Sequence, residues 1–156
     1  TTRALFAGGG PNGEGGRESI DYVTIASTGN ASDFGDLTDG RFSGIGGGSS
    51  NTRAIFYGGN DPEDDMSNII DFVTIASTGN ATDFGDLLAN KGSLMCGASN
   101  KTAVLNLGGY GSSANVASAD LIILATTGNA VDFGSVSTGG ASRDSSGMCG
   151  SHGGIA

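Results

Sequence analysis

Three stretches of this chain are versions of one another: DYVTIASTGNASDFGDLT at residues 21–38, DFVTIASTGNATDFGDLL at 71–88 and DLIILATTGNAVDFGSVS at 120–137. The copies begin 50 and then 49 residues apart, and the first two differ at three positions. A period of this length means that one supersecondary unit is stacked side by side, because a single unit is too small to bury its own apolar face. Whatever the chain folds into must therefore be built from three similar parts within 156 residues.

Each copy reads as four short strands. TRAIFYGG at 52–59, with its counterparts TRALFAGG at 2–9 and TAVLNLGG at 102–109, is an apolar, β-branched run closed by a glycine pair. The segments that follow, GPNGEGGRES, NDPEDDMSN and YGSSANVAS, share almost no letters and read as exposed loops joining constrained strands. The next strand carries more continuous aliphatic character than a half-solvated one would, which predicts that both of its faces are covered. A Thr-Gly-Asn triplet at 28–30, 78–80 and 127–129 then predicts a tight hairpin turn, with Phe34, Phe84 and Phe133 as the large core residue of the returning strand. The last run of each copy, such as GIGGGSSN at 44–51, is rich in small residues and suits a strand where chains approach closely. Helical repeats fit badly, since glycine interrupts nearly every window and no i, i+3, i+4, i+7 spacing is sustained. The expected units are 1–50, 51–99 and 100–156, together making one domain or part of one. A repeat near 50 residues with four strands points to β-propeller blades, with a β-solenoid as the competing architecture.

Composition narrows the function. The net charge is −9, and no Lys/Arg cluster is present to neutralise a row of phosphates, which argues against nucleic-acid binding. No run of roughly 18 apolar residues exists to insert into a membrane, and the first residues lack the pattern of a signal peptide. The first residue is Thr rather than Met, so a processed chain or part of a longer one is expected. Cys96 and Cys149 fall at similar places in successive copies, with Gly46 in the first, and read as small buried thiols rather than a disulfide framework or a zinc site.

The motifs that spell chemistry have simpler readings. Asp-Phe-Gly at 33–35, 83–85 and 132–134 lacks the catalytic loop, strand lysine and phosphate loop of a kinase. Asp33, Asp36, Asp83 and Asp86 offer oxygen ligands of the kind calcium needs, yet Ser135 replaces the second acid in the third copy, so a solvated acidic face is expected and no metal. The glycosylation triplets at Asn30 and Asn80 coincide with the turn, and a third begins at Asn100. His152 is the single histidine and has no nucleophile or carboxylate at a recognised spacing, so no enzyme activity and no cofactor are expected.

The glycine pair after a short apolar strand, the aromatic at Tyr22 or Phe72 in the next, and Phe34, Phe84 and Phe133 in the third resemble kelch-type blades, although the chain has no Trp. The segment TIASTGNATDFGDL, followed by a Gly/Ser run and TRAIFYGG, is similar to kelch-like repeats of uncharacterised structural proteins of marine bacteriophages, notably cyanophages. The resemblance implies an all-β fold of three four-stranded propeller blades. Three blades do not close a ring, so completion by another chain, such as a six-bladed head-to-tail homodimer, or by further sequence of a longer propeller is expected. It further implies a virion or extracellular setting and a non-enzymatic structural or adhesion protein, with a carbohydrate-binding module as the alternative. The expected partners are other virion proteins or copies of the chain itself, and a host-surface glycan or protein. Candidate contact residues are those of the divergent loops: Asn12, Glu14, Arg17, Asp61, Glu63, Asp64, Asp65 and Tyr110.

Overall fold

The computed structural model describes residues 3–10, 16–61, 65–92 and 96–135, and over these the chain is all β, with no helix. The strands are β1 (Arg3–Ala7), β2 (Arg17–Thr24), β3 (Ser32–Arg41), β4 (Gly46–Ser49), β5 (Arg53–Tyr57), β6 (Ile69–Thr74), β7 (Thr82–Asp86), β8 (Cys96–Ser99), β9 (Ala103–Leu107), β10 (Ser118–Ile123) and β11 (Val131–Ser135). They form three antiparallel sheets, ordered β1-β2-β3, β4-β5-β6-β7 and β8-β9-β10-β11, none of which closes into a barrel.

The sheets are out of step with the sequence copies by one strand. The small-residue run that ends a copy leaves the sheet of that copy and pairs with the first strand of the next, Gly46 opposite Tyr57 and Ser49 opposite Ala54. Locally this follows from the link between them. Ser50 donates its N–H to the Arg53 carbonyl while its hydroxyl accepts the N–H groups of Thr52 and Arg53, closing a hairpin. Asn100 does the same with its side chain for Thr102 and Ala103. Residues 46–49 thus belong with 53–86 and residues 96–99 with 103–135, offset from the divisions at 50 and 99 read from the sequence.

The small residues are needed where the second and third sheets meet, β4 lying against β8 and β9. A Cβ at Gly48 would stand 2.5 Å from Val104 Cγ2, and one at Gly97 would stand 2.2 Å from the Tyr57 hydroxyl.

The core lies between sheets. The middle sheet is covered on both faces: Ala54, Phe56, Val73 and Ile75 pack with Ile20, Phe34 and Leu37 of the first sheet, whereas Ile55, Tyr57, Ile70, Phe84 and Leu87 pack with Val104, Ile122, Leu124 and Ala130 of the third. The alternation along β5 is the period-2 geometry of a strand with two buried faces. Tyr22 meets Phe34, and Phe72 meets Phe84, edge to face at 5.9 and 5.8 Å.

The Gly-Asn pair does something other than close a hairpin. The tight turns lie just before it, at 24–27 and 74–77, where the N–H of Ser27 or Ser77 donates to the carbonyl of Thr24 or Thr74. The pair itself reaches the preceding sheet. Gly79 and Ala81 donate their N–H groups to the carbonyls of Phe34 and Asp36, each at 2.7 Å, and the Asn80 side chain accepts the Asp36 N–H. Gly128, Ala130 and Asn129 repeat the set on Phe84 and Asp86. For the turn to come this close the strand must offer glycine: a Cβ at Gly35 or Gly85 would stand within 2.4–2.6 Å of the Gly79 or Gly128 carbonyl oxygen. The acid of Asp-Phe-Gly serves the same end, Asp83 and Asp132 accepting the N–H of Gly85 and Gly134 beside the irregularity in register. Arg3 and Arg53 complete the lock. Each lies over an aromatic ring of its own sheet and donates to the turn of the next, Arg3 to the Ile75 carbonyl and Arg53 to those of Leu124 and Ala125.

Candidate functional site

The divergent segments leave the sheets at one end. β5 exits through Gly58 and Gly59, whose φ of 58° and 101° favour glycine, and β9 exits likewise through Gly108 and Gly109. Beyond the pair the chain is tied to the connection that arrives from the preceding sheet. Asn60 bridges to Ser43 and to Met66, and Tyr110 bridges to Gly92 and to Asn115. The second and third loops thus rise from a hydrogen-bonded base as short arches.

Beneath these arches lie two buried ion pairs that cross between sheets. Arg41, at the end of β3, pairs with Asp71 of β6 at 2.5 Å, and both side chains are fully buried. Lys91, in the connection that follows β7, pairs with Asp120 of β10 at 2.6 Å and also donates to the Ser118 hydroxyl. The same backbone positions hold the glycine exits, Gly9 and Gly59 donating to the carbonyls of Arg41 and Lys91. Burial pushes the Asp71 carboxyl above the usual range, against the downward pull of the Thr38 hydroxyl and of Arg41; burial likewise lowers the Arg41 guanidinium against the upward pull of Asp71. Desolvation is the largest influence on both, so the cost of burying the two charges opposes the attraction between them.

The loop residues singled out from the sequence separate into three groups. Asp61 and Asp65 are brought together: the Asp61 side chain accepts the Asp65 N–H while its own N–H donates to the Asp65 carbonyl, so Asp61 shapes the arch and Asp65 stands exposed on it. Tyr110 is half-buried in the arch of the third sheet, and Arg17 lies exposed at the start of β2, opposite Arg41 in register, rather than in a loop. Asn12, Glu14, Glu63 and Asp64 lie outside the described residues, as do Cys149, His152 and the Cys96 side chain.

Beside the third arch is a depression of about 590 Å³ lined by Ala89, Asn90, Ser112, Ser113, Asn115 and Val116 among others. Its lining is mostly apolar, and its polar groups are hydroxyls and amides. A second cleft, about 260 Å³ and mostly apolar, runs between β1 and the middle sheet, lined by Arg3, Ala4, Leu5, Gly47, Gly48 and Ile75 among others. It flanks β1 on the side where β4 and β8 complete the other two sheets. Among the described residues no group of three or more His, Cys, Asp or Glu side chains stands close enough to hold a metal ion, and no helix is long and apolar enough to cross a membrane.

Sequence reading missed the ion pairs. The signal was present, because Arg41 and Lys91 recur 50 residues apart and Asp21, Asp71 and Asp120 recur at the head of each copy, but nothing along the chain says that the cation of one copy meets the acid of the next.

No protein-family model matches the chain, and no curated protein matches it in sequence. In three dimensions it is similar to the solved structure of YjhT, with a TM-score of 0.73 at 9% sequence identity over 92% of this chain and 52% of that one. The chain therefore spans about half the length of that structure, and the likeness is one of fold.

Proposed function

We propose that this chain forms three blades of a kelch-like β-propeller and acts as a non-enzymatic structural and adhesion protein of a virion, presenting its variable arches to a host-surface glycan or protein. One observation carries the reading: the residues that lock sheet to sheet recur nearly unchanged, while the arches on the common base share almost no sequence. Such a division lets recognition change without disturbing the scaffold. The propeller reading also assigns the cleft beside β1 to a fourth, Gly- and Ser-rich strand like β4 and β8. The virion setting rests on the resemblance of the repeat to phage structural proteins.

The test is to replace residues 61–65 by a Gly-Ser linker, keeping Asn60 and Met66, in particles that carry the protein. Assembly is expected to survive and host adsorption to fall by about tenfold or more, since a few arch residues carry most of a contact's energy. Unchanged adsorption with the second and third arches both replaced would refute the adhesive role.

A second reading, a carbohydrate-binding module, is favoured by the depression beside Tyr110, whose mostly apolar floor carries the hydroxyls and amides of Asn90, Ser112, Ser113 and Asn115, groups able to meet neutral sugar hydroxyls. Glycan-array binding lost in Ser112→Val with Asn115→Leu would select this reading over a protein ligand.

A further inference from the structure

The lock between sheets is used twice within the chain, and each of its halves is left open once. On the first sheet, the turn at 25–31 is the half that reaches out. Its leading apolar residue, Ile25, is 70% exposed, whereas the same position is 6% exposed at Ile75 and 2% at Leu124, where the turn is docked. Phe6 is 60% exposed, against 7% for its counterpart Phe56. Asp21 is exposed where Asp71 and Asp120 are buried with a cation from the preceding sheet. On the third sheet, β11 is the half that receives. Phe133 is 63% exposed, whereas Phe34 and Phe84 are each 2% exposed. The space filled by the Gly79 and Gly128 carbonyls beside Gly35 and Gly85 is open beside Gly134.

We propose that these two open faces dock on each other between two copies of the chain, head to tail, the turn at 25–31 of each copy seated on β11 of the other. The occupant is identified by the chemistry the chain already displays. In the docked pairs, two N–H groups of the turn meet the carbonyls of Phe and of the residue two further on, and the Asn side chain accepts the N–H of that second residue. Gly29, Asn30 and Ala31 offer the same donors and acceptor, and the carbonyls of Phe133 and Ser135 offer the same receivers. Ile25 and Phe6 bring the apolar surface that Phe133 lacks. The contact is heterologous, joining two different faces, and such contacts close only when the rotation permits. Two copies match the fold likeness in size, since 92% of this chain covers 52% of the chain of YjhT.

The first measurement is the native mass of the 156-residue chain by sedimentation over a range of concentrations, beside Ile25→Asp and Phe133→Asp. Both positions are solvent-exposed within one copy, so each variant is expected to keep the parent far-UV spectrum and melting behaviour at dilution. The parent is expected at twice 15.3 kDa, each variant alone at 15.3 kDa with dimer association weakened at least a hundredfold, and an equimolar mixture of the two variants back at the dimer mass, because a mixed pair keeps one unaltered interface. A folded parent that stays at 15.3 kDa up to high micromolar concentration overturns the proposal, leaving the faces to further repeats of a longer chain. Three outcomes overturn it as well: a parent of higher order than two, a dimer untouched by both substitutions, and a mixture that fails to recover the dimer, which would mean a symmetric contact.

Discussion

Asp71 illustrates what a single side chain does in this protein. Its carboxylate is enclosed, takes a hydrogen bond from Thr38 and faces the Arg41 guanidinium at 2.5 Å. Removing one partner strands the other without water, so Asp71→Ala is expected to lower unfolding free energy by about 3–5 kcal/mol, whereas Arg41→Met with Asp71→Leu is expected to fall within about 1 kcal/mol of the parent. Urea denaturation of the two variants decides this, and equal losses would mean that the charges stabilise in their own right. Gly85 offers a second test at this scale. Alanine there meets both the Gly128 carbonyl and a φ of 141°, and a loss of about 3 kcal/mol or more is expected from strain plus collision. The same change at Gly134, φ 128° with open space around the added methyl, is expected to cost about 1–3 kcal/mol from strain alone, measured on a dilute monomeric sample.

At the scale of elements, the repeated turn and the small-residue strand matter more than the large core residues that first draw the eye. The turn spends its Asn and Gly on the neighbouring sheet, so Asn80→Ala removes one cross-sheet hydrogen bond and is expected to lower stability by about 0.5–1.5 kcal/mol. Because Asn80 and Asn129 serve different interfaces, the double variant is expected to lose the sum of the two single losses, and chemical denaturation of all three checks it. The β4–β8 approach tests packing in the opposite direction. Gly48→Ala drives a methyl into Val104, with an expected loss of about 1–3 kcal/mol by overpacking. Pairing it with Val104→Ala is expected to recover part of that loss; no recovery would mean that the backbone conformation of Gly48, rather than contact, is what matters.

For the whole molecule, stacking gives each sheet a different share of protection. The middle sheet is covered on both faces, while the first and third each keep one face in solvent. Native-state hydrogen exchange is therefore expected to be slowest in β5 and β6 and fastest in β1 and β11, with the difference corresponding to local opening below the global unfolding free energy. Uniform protection across all three sheets in a monomeric sample would show that they open as one cooperative unit.

Much of this was legible along the chain. The period near 50, the Val/Ile/Phe runs and the glycine pairs determine an all-β repeat fold with variable arches, because strand alternation and positive φ are local properties that residues declare themselves. Phe34 and Phe84 as core, and the small-residue runs as places of close approach, follow from the same reasoning. Tertiary structure alone decided which sheet each small-residue strand joins, that Gly79 and Asn80 serve the neighbour rather than their own hairpin, and that Arg41 and Lys91 meet Asp71 and Asp120. All three depend on contacts between copies. A periodic sequence states what each unit offers, but the partner it meets is set only when the units stack and water is excluded between them, which is also why Asp21, Ile25 and Phe133, equivalent by sequence to buried residues, stand exposed.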